Sequence, residues 1–213
     1  DVYGHNSHGT SVMSCIGGMK GKQPIGLATG AEFLLARTEN AMFEPFSEEE
    51  NWLAAAEWAD KNGAHIINSS LGYTKRRYFV EEMDGKTSLV ARAANMAASK
   101  GMLVVNAAGN DGSGNWKIVG TPADADSVMS VGGIHPTTNY HINFSSYGPT
   151  SDMRLKPNVA AFGDAIVAGK GESYSSAQGT SFASPLVAGF AACAWQTNPE
   201  WNNMQVFREI EMA

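Results

Sequence analysis

A chain of 213 residues, 43% hydrophobic and 17% charged, holds enough apolar material for one domain with a sizeable core. Its net charge of −6 and pI near 5.3 exclude nucleic acid as the main partner. No run of about 18 apolar residues is available to span a membrane, and no signal peptide is visible ahead of Asp1.

In chain order, the first seven residues are polar. Gly9 and Thr10 then open a helix over residues 11–16, closed by Gly17 and Gly18. The loop 19–24 carries Lys20 and Lys22. Residues 31–37 are apolar enough for a buried strand. Ser47, with Glu50 three residues on, makes a capping box. Trp52, Leu53, Ala56 and Ala59 recur at helical spacing, so residues 48–62 form a helix closed by Gly63. Residues 65–68 read as a short buried strand, and residues 73–86 as a charged surface loop. Residues 88–100 form a helix with Leu89, Ala93, Met96 and Ala97 inward, and residues 102–107 the next strand. Further on, residues 127–131 and 143–146 are short strands, and residues 165–168 and 173–176 a strand pair. A buried helix follows from Ser181 to about Gln196, broken by Asn198 and Pro199. Residues 203–212 form a last amphipathic helix. Strands alternating with helices predict an α/β fold, a parallel sheet with helices on both faces, with ligands at the carboxyl ends of the strands. No internal repeat or interdomain linker divides residues 1–213, so one domain is expected.

The two cysteines, Cys15 and Cys193, each lie on an apolar helix and read as buried thiols used as small hydrophobes. Spacing alone leaves a disulfide between them open.

The chemistry gathers at Gly179-Thr180-Ser181-Phe182-Ala183-Ser184-Pro185, set between a glycine-rich loop and an apolar run. It places a hydroxyl at a helix N-terminus, where unpaired N–H groups and the dipole favour an alkoxide and the oxyanion that follows. Proline suits a first turn because its missing donor is not needed there. The same run also suits an ordinary capped helix. Acyl transfer further needs a base, and His8, in His8-Gly9-Thr10, has the side chain whose pKa suits proton shuttling at neutral pH, although a lone histidine beside glycine is more often structural.

The order His8-Gly9-Thr10, Ser70-Leu71-Gly72, Ala107-Ala108-Gly109-Asn110, Gly179-Thr180-Ser181 resembles the subtilisin-like serine proteases. The resemblance runs from His8 to the end of the chain. It implies a serine endopeptidase with Ser181 as nucleophile, His8 as general base and Asn110 as side-chain donor to the oxyanion, beside the Ser181 N–H. Asn110 equally suits a turn, in Gly-Asn-Asp-Gly. By the same resemblance, Ser70, Leu71 and Gly72 pair with substrate backbone, and Ala107, Ala108 and Gly109 wall the specificity pocket. Gly120 leaves its floor open for a large apolar side chain, and Asp111 stands at its rim, where Lys or Arg is tolerated. Segments 144–149 and 156–159 frame the site, and His5, His65, His135 and His141 are surface or structural. Peptides or proteins are the implied partners, and the implied location is secreted or cell envelope. No cofactor is implied.

Several positions depart from the pattern. The family orients its histidine with an aspartate on an upstream strand, yet only seven residues precede His8, and Asp1 belongs to the loop before the histidine helix. The aspartate and its strand are therefore expected to be missing, through N-terminal truncation. The alternative is a catalytically inactive peptide-binding relative. Ser11 replaces a non-catalytic histidine and Phe162 a proline. Lys20 and Lys22 stand where relatives bind calcium, which ammonium groups oppose, so no metal is expected at that loop. An acyl hydrolase of another type fits poorly, since those show Gly-x-Ser-x-Gly with histidine last in the chain.

Overall fold

In a computed structural model of the protein, residues 6–40, 44–169 and 173–213 are described. The readings of Asp1 and His5 fall outside them. Helix α1 (His8–Gly17) begins at the histidine itself, earlier than the glycine signal predicts. Two-residue strands β1 (Met19–Lys20) and β2 (Gln23–Pro24) pair antiparallel in the lysine loop. Helix α2 (Ser47–Lys61) follows, then β3 (Ile66–Ser69), α3 (Leu89–Ser99), β4 (Leu103–Ala107) and β5 (Val128–Ile134). Strand β6 (Val159–Phe162) precedes an antiparallel pair, β7 (Asp164–Ala168) and β8 (Tyr174–Gln178). Helices α4 (Thr180–Thr197) and α5 (Asn203–Glu211) complete the order.

The strands β3-β4-β5-β6 form one parallel sheet in that spatial order, in register Asn68 with Val105, Val105 with Met129, and Val131 with Val159. Alternate residues of β4 face opposite ways. Val104 joins Val128, Trp52, Val90 and Ala94 in the core under α2 and α3. Leu103 and Val105 join Met129, Val131, Val187 and Phe207 under α4 and α5. This is an α/β fold with helices on both sheet faces, and both cores bury the continuous apolar runs a parallel sheet requires.

Several local expectations fail for identifiable reasons. Residues 31–37 form no strand. They run extended with Leu34 and Leu35 exposed at 44% and 46%. A cleft separates them from β3, which among the described residues pairs on one edge only, so no ladder is available to them. Strand β3 is accordingly half-buried in its first three residues rather than buried. Residues 143–146 are a turn, because their polar groups serve neighbours: Ser145 Oγ accepts the Gly133 N–H and the Ser146 N–H reaches Gly109 O, both at 2.9 Å. Ser47 does not cap α2. It is the first helical residue, and the capping position holds Phe46 with no side-chain bond. Met96 points outward, leaving small alanines to pack α3. Segment 73–86 is not a plain surface loop, since Tyr73, Tyr78 and Met83 are buried. Cys15 is buried, but Cys193 is exposed, and both are free thiols.

Candidate functional site

Gly179 has φ +154°, a conformation that side-chain-bearing residues rarely adopt, and it turns the chain from β8 into α4. Ser181 therefore sits in the first turn of α4, and its N–H has no partner among the described residues. Pro185 is the sixth residue of α4 rather than part of its first turn. It cannot donate to the carbonyl four residues back, which is that of Ser181. Ser70 Oγ takes up that acceptor at 2.9 Å, and Ser181 Oγ donates to Ser70 O at 3.3 Å. Ser184 Oγ donates to Asn68 Oδ1 at 2.9 Å, and Asn68 Nδ2 to Ser70 Oγ at 3.2 Å, which ties β3 to the turn of helix carrying Ser181.

Asn110 follows Gly109, whose φ is +112°. Its Oδ1 accepts from the Thr180 N–H at 2.9 Å and from Thr180 Oγ1 at 3.1 Å. With the acceptor end of the amide fixed, Nδ2 is the free end, and it lies beside Gly179. Thr180 Oγ1 also accepts the Gly109 N–H at 3.2 Å.

His8 opens α1 and its ring centroid lies 6.0 Å from that of Phe182, the neighbour of Ser181. Burial lowers its pKa from the ordinary histidine value. His8, Ser181 and Asn110 line one cleft of about 2150 Å³. The Ser181 hydroxyl is directed at Ser70 rather than at His8.

Ser70, Leu71, Gly72, Ala107, Gly109 and Gly120 line the same cleft. Asn106 Nδ2 holds Leu71 O at 3.0 Å, and Tyr73 and Thr121 exchange backbone bonds at 2.9 and 3.1 Å. Ala108 is the exception among the expected wall residues. It packs against Val119 and Ala123 behind the wall, and its carbonyl holds the Gly120 N–H at 3.1 Å. The cleft continues past β3 to residues 31–40, under Trp52 and Ala56 of α2 and Ala188 and Trp195 of α4. Among the described residues, no three His, Cys, Asp or Glu side chains group as a metal site, and no helix is long and apolar enough to cross a membrane.

Sequence reasoning missed Asn68, Asn106 and Thr180. Thr180 lay inside the Gly-Thr-Ser motif and was open to discovery as a polar neighbour of Ser181. The two asparagines lie on strands, where an amide among apolar residues was the one available signal.

Comparison with known proteins adds a family signal. A model of the Subtilase family, Peptidase_S8, matches residues 1–213. The chain is 39% identical over 155 residues to alkaline elastase YaB of a Bacillus species, covering 73% of this chain and 36% of that one. It is 33% identical over 207 residues to M-protease of Shouchella clausii, covering 97% of this chain and 49% of that one. The chain thus spans about a third to a half of these two relatives. Among solved structures, a psychrophilic protease superposes with a TM-score of 0.74 at 27% identity, covering 98% of this chain and 69% of that one.

Proposed function

Because the chain belongs to the subtilase family, we propose that it is a serine endopeptidase acting by an acyl-enzyme mechanism, with its 213 residues lying within a single peptidase domain. The observation that carries the reading is the Asn110 amide. Its acceptor end is locked by Thr180, which leaves its donor end without a partner among the described residues, in the cleft that also holds the Ser181 N–H, likewise without one. Two donors and a hydroxyl in one cleft suit an oxyanion and its nucleophile.

In this mechanism Ser181 Oγ attacks the carbonyl carbon of the scissile peptide bond and His8 takes the hydroxyl proton. Asn110 Nδ2 and the Ser181 N–H hold the negative oxygen. The C–N bond then breaks as His8 returns the proton to the leaving amine. Water, deprotonated by His8, hydrolyses the ester and regenerates Ser181. Desolvation favours the neutral form of His8, the form a base requires. Ser70, Leu71 and Gly72 hold substrate backbone by strand addition, and Ala107, Gly109 and Gly120 surround the side chain that precedes the cut. The substrates are peptides or proteins, met outside the cell or at its envelope.

One observation favours the alternative, a non-catalytic peptide-binding relative. Ser181 Oγ donates to Ser70 O at 3.3 Å rather than to His8. A fluorophosphonate probe, read by mass spectrometry, separates the two. The peptidase reading expects adduct on Ser181, none in Ser181→Ala, and far less in His8→Ala. Absence of adduct in a folded chain that still binds peptides leaves the binding module.

A further inference from the structure

Gly120 contributes no side chain to the cleft, and sequence reasoning left the space beyond it open. The structure fills that space from the opposite wall. A Cβ built on Gly120 would lie 2.9 Å from Thr74 Cγ2 and 3.0 Å from Tyr73 O, and both Thr74 and Gly120 line the cleft. The Thr74 methyl group therefore stands where the floor residue leaves room.

Thr74 is firmly held. Tyr73, before it, is bonded through both backbone groups to Thr121, and the Thr74 carbonyl accepts the N–H groups of Arg77 and Tyr78 at 2.9 and 3.1 Å. Arg77 is in turn fixed by Glu48 and Glu49 at 2.9 and 3.2 Å. The Thr74 hydroxyl faces Asp111, Oγ1 to Oδ2 at 3.5 Å, and Lys75 Nζ lies 3.7 Å from Asp111 Oδ1. A long side chain entering this pocket would meet an anchored methyl group and, beside it, an acid already paired with a base.

We infer that Thr74 sets the depth of the specificity pocket, and that the preferred substrates are peptides with a short side chain, such as alanine, before the cut. The inference rests on the proposed reading of Ala107, Gly109 and Gly120 as the pocket, and it reverses the expectation of a floor open to large apolar residues. Thr74 acts through volume: the methyl excludes, and the hydroxyl only orients toward Asp111.

Equilibrium binding tests this without requiring turnover. Fluorescent tetrapeptides that differ only in a C-terminal Ala, Leu or Phe are titrated onto the Ser181→Ala chain by polarisation. Thr74→Ser removes the methyl and keeps the hydroxyl; Thr74→Val does the opposite. Thermal melts confirm that each variant folds. The Ala peptide is expected to bind about tenfold or more tighter than the Phe peptide, the range that pocket volume commands. Thr74→Ser is expected to erase or invert that preference, and Thr74→Val to preserve it. Equal binding of Ala and Phe peptides, no change in Thr74→Ser, or no binding of any peptide would each overturn the inference. Fluorophosphonate labelling of the parent chain is scored separately. Discrimination governed by residue 74 with no adduct on Ser181 keeps the pocket and removes the peptidase.

Discussion

A proline within a helix deletes one backbone donor, and in α4 the carbonyl left without it belongs to Ser181. Ser70, just past β3, supplies the replacement bond, so the first turn of α4 and the end of β3 are joined directly. Asn110 shows the same economy: one bond from Thr180 to each lone pair of its Oδ1 sets which end of the amide faces the cleft. Asn110→Ala is expected to lower kcat on a peptide substrate by about 10²–10³-fold with little change in KM. That is the magnitude known for the equivalent donor in subtilisin itself. A loss of binding instead of turnover would place Asn110 among the substrate contacts. That Ser181, His8 and Asn110 fall in one cleft was foreshadowed by motifs that keep them near glycines in fixed local order. Thr180, Asn68 and Asn106 were not, because their roles depend on partners far along the chain, 70 residues in the case of Thr180 and Asn110.

At the scale of elements, α2, α3 and the segment after β3 are locked by a buried charge cluster. Glu48 and Glu49 are 1% and 0% exposed, and both pair with Arg77, whose guanidinium lies 3.8 Å above the Tyr73 ring. Glu49 also accepts the Tyr78 hydroxyl at 2.8 Å and the Val90 N–H at 3.0 Å, which sets a carboxylate on the N-terminus of α3. Arg77→Met strands two buried carboxylates and is expected to cost about 3–5 kcal/mol in urea unfolding. A loss under about 1 kcal/mol would show that the cluster is solvated in practice, as surface pairs are. Helices and buried strands were readable from apolar spacing; the Ser88 cap, whose side chain accepts the Ala91 N–H at 3.0 Å, emerged only in the structure. Segments 31–37 and 73–86 were misread for opposite reasons. The first has strand composition but, among the described residues, no strand to pair with. The second has loop composition, yet Arg77 is neutralised inside by Glu48 and Glu49 of α2.

Across the whole molecule, the sheet order follows the chain order, which is why alternation of strands and helices sufficed to predict the architecture. Stability, by contrast, hangs on groups that no pattern announced. Asp124 is fully buried; one carboxylate oxygen takes the Gly85 N–H at 2.8 Å, and the other has no partner among the described residues. Burial pushes its pKa up to about 6, despite opposing bonds from Gly85 and Thr121. A raised folded-state pKa means full stability below the unfolded value near 3.8, lost as pH climbs through 6. Asp124→Asn is therefore expected to match the parent near pH 4 and exceed it by up to about 3 kcal/mol at pH 8, measured by urea unfolding at each pH. A constant difference across that range would exclude Asp124 as the titrating group. The two thiols offer a different kind of reading. Cys193 is open to solvent, while Cys15 is sealed among Val167 and Phe182, with burial pushing its pKa to about 11. A thiol reagent at pH 8 should therefore modify Cys193 at once and wait for Cys15, whose slow phase times how often α1 lifts away. Since Phe182 follows Ser181 and touches both His8 and the Cys15 cluster, a peptide seated in the cleft should lengthen that wait. The chain thus carries its own stopwatch, started by one sulfur and stopped by the other.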